Sequence, residues 1–88
     1  MSRRSEEARA LAGGEEEERQ YLSRFGQQVR VHRRAKRLSQ EDLALSSGLD
    51  RSYVSAVERG LRNVSLLNLR LMAKVLEVTP AQLLEGLS

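Results

Sequence analysis

Eighty-eight residues suit one small domain with a thin core. The chain has no Cys and one His, His32, which excludes a disulfide framework, a thiolate nucleophile and any site that needs two imidazoles. Fifteen basic against twelve acidic side chains leave a net charge of +3, and the three aromatics, Tyr21, Phe25 and Tyr53, give little support to an RNA reader built on stacked rings.

The charge is unevenly placed. Residues 1–20 carry four Arg and six Glu, whereas Arg24 to Arg37 holds six basic residues and no acid. Such asymmetry speaks of partners, not of fold. No apolar run approaches the roughly 18 residues that span a bilayer, and the charged amino terminus has no apolar stretch behind it, so neither a membrane partner nor a secretory signal is expected. The expectation is a cytoplasmic, nucleoid-associated chain.

The first twenty residues contain Gly13-Gly14 and Glu15–Glu18, with Leu11 as their sizeable apolar residue. They predict an acidic N-terminal tail, mobile or partly helical toward its end, ahead of a domain over residues 21–88. From Tyr21 the signal is helical. Leu22, Phe25 and Val29 share one face of a helix that ends near Arg37. Ser39 with Asp42 three residues on resembles a capping box, and opens a helix over about 40–47 that buries Leu43 and Ala44. Gly48 can end it in the left-handed region. Asp50 is the next N-cap candidate, for a helix over 51–59 with Val54 and Val57 inward and Gly60 as its stop. Ser65 caps a helix from Leu66 to about Leu76, and Thr79-Pro80 with Gln82 starts a short last one over about 80–87. The expected fold is all-α, a compact five-helix domain.

Gln40 to Arg59 forms a helix-turn-helix pattern: two short helices, a glycine turn, a small Ala44 at the close approach, and Leu49, Val54 and Val57 to plug the angle. The words Leu38-Ser39-Gln40-Glu41-Asp42-Leu43-Ala44 and Tyr53 through Asn63 resemble the phage repressor/Cro class of regulators. Leu49 to Ser55, with Glu58-Arg59 and Arg62-Asn63, is especially similar to the controller proteins of restriction–modification systems. The resemblance covers about Phe25 to Leu87. It implies that Arg51, Ser52, Ser55 and Ala56 face base edges in the major groove, where an Arg can fork onto guanine. It implies backbone contacts from Gln40, Arg37, Tyr53, Arg59, Arg62 and Asn63, with the helix N-terminus strengthening the Gln40 site. Glu58 would pair with Arg33 as a structural ion pair. Set against these are plainer roles: Arg51 as a solvated charge, Tyr53 half-buried against the first helix, Gln40 as a helix-opening residue. Of the basic run, Arg33 would be internal, Arg37 and Arg34 would lie near the DNA backbone, and the others in solvent. His32 reads as a neutral, partly buried side chain.

The helix from Leu66 carries two apolar stripes, Leu66, Leu69, Met72, Ala73 and Leu76 on one and Leu67, Leu71 and Val75 on the other. One stripe is enough for a small monomer. The second, with Leu83, Leu84 and Leu87, predicts a homodimer interface, unless the surplus leucine simply fills the core. A dimer would place two reading helices roughly 34 Å apart on double-stranded DNA with a pseudo-palindromic operator. The reading is therefore a dimeric transcription regulator, not an enzyme, with no cofactor and no metal. RNA polymerase would be a further partner if Glu41 or Glu15–Glu18 serves as an activating patch. The rival reading is an antitoxin-type module of the same fold, holding a partner protein through its N-terminal extension.

Overall fold

The computed structural model describes residues 3–87. Among them are six α-helices and no strand: α1 Arg3–Leu11, α2 Gly14–Ala35, α3 Gln40–Ser47, α4 Arg51–Glu58, α5 Leu66–Leu76 and α6 Pro80–Leu83. The all-α expectation holds, with one more helix than expected.

That additional helix lies in the segment expected as a tail. Of that segment, Met1 and Ser2 lie outside the described residues. The expected boundary between residues 20 and 21 falls inside α2, which runs unbroken from Gly14. Charge supplies what apolar periodicity does not. Glu6 stands in the first turn of α1 and Arg9 in its last, and Glu15, Glu16 and Glu17 open α2, each suited to the helix dipole at its end. Gly13 has φ 109° and Gly14 φ 67°, so the chain reverses where a side chain would be strained. Arg9 then reaches back to α2, where its Nε donates to Glu18 Oε2 at 2.7 Å and Nη2 contacts Oε1.

The core is built from one face of each helix from α2 onward. Val29, Leu43, Val54, Val57, Met72, Leu76 and Leu83 are fully buried, with Phe25, Ala44, Leu69 and Ala73 beside them. Gly26 brings α2 and α4 into close contact; a methyl there would press on the Val57 carbonyl and stand 2.6 Å from that of Glu58. Leu83 was expected at a dimer interface. It belongs instead to the monomer's core, because Thr79 and Gln82 cap α6 reciprocally and turn Leu83 inward. Leu66 departs in the other direction. It was placed on the inward stripe, yet as the first residue of α5 it stands 79% exposed.

Candidate nucleic-acid interface

Two helices meeting across a left-handed turn define the site. Ser39 Oγ accepts the Asp42 N–H at 2.9 Å, and Asp42 Oδ2 accepts the Ser39 N–H at 2.8 Å. Hydrogen bonding to the carboxylate from Ser39, its backbone N–H foremost and its side chain next, holds the Asp42 carboxyl below its usual range. Gly48, at φ 74°, closes α3 and starts the turn. Asp50 takes the N-cap position of α4 as expected, but its side chain makes no capping hydrogen bond.

A buried ion pair lies at the other end of α3. Arg33 Nε donates to Glu58 Oε2 at 2.6 Å, Arg33 Nη2 donates to Glu58 Oε1 at 2.9 Å, and Arg33 Nη1 donates to the Leu38 carbonyl at 2.8 Å. Hydrogen bonding to Glu58 outweighs burial and raises the Arg33 pKa. The pair ties α2 to α4, and through Leu38 it anchors the segment that leads into α3. Gln40 joins the same network, donating Nε2 to Glu58 Oε1 at 3.2 Å. Its amide is thus half engaged, with the second N–H of the same group left to give. The backbone N–H groups of Gln40 and Glu41, at the start of α3, have no acceptor within the helix.

On α4 the outward edge is narrow. Arg51, Ser52 and Arg59 are exposed and Ser55 is half-buried. At about 100° per residue these four fall within about one third of the helix circumference. Ala56, expected beside them at base edges, is buried at 8% exposure, because its position turns it past that edge toward the protein. Tyr53 is half-buried, its phenol oxygen accepting from Asn68 Nδ2 at 3.1 Å and the Arg62 guanidinium 6.0 Å from its ring centroid. Arg62 and Asn63 are exposed in the segment after α4. Asn63 also lines an open crevice of about 530 Å³ with Arg9, Glu18, Tyr21 and Leu22, which brings the α1–α2 hairpin to its side. Arg34 and Arg37 are exposed, Arg37 at φ 60° where the chain leaves α2. His32 is half-buried.

Of the expected interface residues on α5 and after it, Leu67 is 71% exposed, Leu84 is exposed at 37%, and Leu71, Val75 and Leu87 are half-buried. No local pattern announces Asn68 as a partner of Tyr53. Gly26 had a legible signal, a glycine inside a helical pattern. Among the described residues no helix is long and apolar enough to cross a membrane, and no cluster of His, Cys, Asp and Glu could hold a metal ion.

A helix-turn-helix family model matches residues 29–83. The control protein C.BamHI of Bacillus amyloliquefaciens is 50% identical over 62 residues, which cover 69% of this chain and 76% of that protein. The crystal structure of the restriction–modification controller protein C.AhdI from Aeromonas hydrophila shares 58% identity, covers 70% of this chain and 94% of its own, and superposes with a TM-score of 0.69. The controller protein C.Esp1396I, crystallised as a tetramer with its natural 35 base-pair operator, shares 40% identity over 76% of this chain and 88% of its own, with a TM-score of 0.68.

Proposed function

The chain belongs to the helix-turn-helix family, among the restriction–modification control proteins, and on that premise we propose that it is a sequence-specific, dimeric DNA-binding regulator that reads the major groove with α4. The observation that carries this is the outward edge of exposed Arg51 and Ser52 and half-buried Ser55, on a helix anchored by the buried Arg33–Glu58 pair. A rigidly held edge of this kind presents a forked cation and two small hydroxyls to base edges.

Contacts to the DNA backbone set the register. Gln40 and the start of α3 hold one phosphate, while Arg37, Tyr53, Arg59, Arg62 and Asn63 meet the flanking backbone. A large share of the affinity is electrostatic and falls with salt. Leu67, Leu71, Val75, Leu84 and Leu87 join two copies, so that paired α4 helices meet successive turns of a pseudo-palindromic operator. The protein acts in the cytoplasm, where the DNA lies, and by binding rather than by catalysis. Activation requires a patch for RNA polymerase; Glu41 and Glu15–Glu17 are exposed and acidic.

Selection of bound duplexes from a random-sequence library tests the reading. Two inverted half-sites about one helical turn apart are expected to be enriched. Recovery of no preferred sequence, or of a single unpaired half-site, overturns it.

A further inference from the structure

Tyr53 is half-buried on α4, and its ring is held from two directions. Arg62 covers it from the segment after α4, and Asn68 reaches its oxygen from α5. Asn68 is itself well placed. It is the third residue of α5, and Ser65 Oγ accepts its backbone N–H at 3.1 Å, so the cap fixes the backbone from which the amide extends.

The direction of the Asn68–Tyr53 bond matters. A phenol has one hydrogen to give and lone pairs to accept with. Here one lone pair accepts from the Asn68 amide, and among the described residues no acceptor takes the phenol hydrogen. A phosphate oxygen only accepts, so a phenol whose hydrogen is free suits it. A protein acceptor in place of the Asn68 amide would take that hydrogen and turn the phenol away from this use.

We propose that Asn68 is a positioning residue for DNA binding: from α5 its amide occupies the Tyr53 oxygen and leaves the phenol hydrogen aimed at a phosphate. The inference rests on the docking of α4 against DNA. It adds that α5, the helix assigned to dimer contact, also sets a side chain on the reading helix.

A hydrogen bond between two neutral, half-exposed groups adds little to stability, since water replaces either partner. The test is a double-mutant cycle on DNA affinity, using a duplex selected by the parent protein, with thermal unfolding as the control. Asn68→Ala and Tyr53→Phe are each expected to weaken binding roughly fivefold. Both should unfold close to the parent temperature. The double variant should bind no more weakly than either single one, because Asn68 acts through the phenol. The dependence of affinity on salt should keep its slope, as no cation is removed. Asn68→Asp keeps the size and suits the first turn of a helix, but offers only acceptors. It should lose at least as much as Asn68→Ala, and lose less when Tyr53 is already Phe.

Losses that multiply in the double variant overturn the proposal, as does unchanged affinity in Asn68→Ala or Asn68→Asp. A parent protein that retains no duplex at all sinks the docking of α4 first, and this inference with it.

Discussion

On the proposed docking of α4, base preference turns on Arg51. It is exposed at the first position of α4, and among the described residues no ion pair holds it to the protein. Forked onto guanine it should supply about 1–3 kcal/mol of discrimination. Arg51→Ala is therefore expected to weaken binding to the preferred duplex and to relax preference at one base pair per half-site, read from a panel of singly substituted duplexes. Equal weakening on every sequence would make Arg51 a phosphate contact instead. Glu58 supports that edge from behind. Removing it leaves the Arg33 guanidinium buried without its counter-charge, so Glu58→Ala should cost about 3–5 kcal/mol in denaturant unfolding. Arg33→Met combined with Glu58→Leu should recover most of the loss, since a buried pair carries a desolvation cost that apolar replacements avoid. A single substitution that costs under about 1 kcal/mol would mean that the pair is not formed in solution. The pair itself was legible through resemblance. The burial of Ala56 was not, because a few tens of degrees around a helix separate an outward position from an inward one.

At the scale of single helices, side-chain chemistry at the ends was the most readable feature of the chain. Ser39 with Asp42, Ser65, and Thr79-Pro80 with Gln82 all cap the helices their spacing predicts. Such bonds join residues three apart and need no tertiary information. The α1–α2 hairpin was not readable in the same way. It has little apolar periodicity, and Gly13-Gly14 followed by a run of Glu looks like a loop. A pair nine residues apart, Arg9 with Glu18, bridges the hairpin, and no local pattern announces it. The α3 cap yields a test by titration. The folded pKa of Asp42 is depressed, so its contribution is complete above the ordinary aspartate value of about 4 and is lost as pH falls through the folded one. Glu16 and Glu18 are depressed by Arg19 and Arg9 and titrate in the same acid range. The informative quantity is therefore the difference between parent and Asp42→Asn. The melting temperature of the variant should fall less steeply below pH 4, and parallel curves would show that the Asp42 carboxylate does not cap α3.

Across the whole molecule the division of leucines decides between a filled core and a second copy. A stripe on a helical wheel cannot make that division, because it depends on where neighbouring helices end. α6 covers the α5 stripe only as far as Leu83, which is wholly buried, while Leu67 lies 71% exposed and Leu84 at the surface. About 25 cal/mol for each Å² of apolar surface withdrawn from water favours covering these leucines with another chain. Leu67 is the cleanest position at which to ask. Leu71 is half-buried within the monomer, so a charge there would disturb both the core and any dimer contact. Leu67→Glu places a carboxylate where the monomer already meets solvent, at the start of a helix that tolerates negative charge. Its unfolding as a monomer should match the parent's, and its sedimentation mass should shift toward one chain. Leu83→Glu should instead prevent folding, because it buries an unpaired charge. A Leu67→Glu protein that sediments with the parent's mass would place the contact between copies elsewhere. A fall in mass should carry a second effect, since a lone protomer holds one half-site and loses the linkage that joins two α4 helices on one operator. The loss of affinity for the full site should then greatly exceed the loss for a single half-site, although Leu67 is not among the residues proposed to meet DNA.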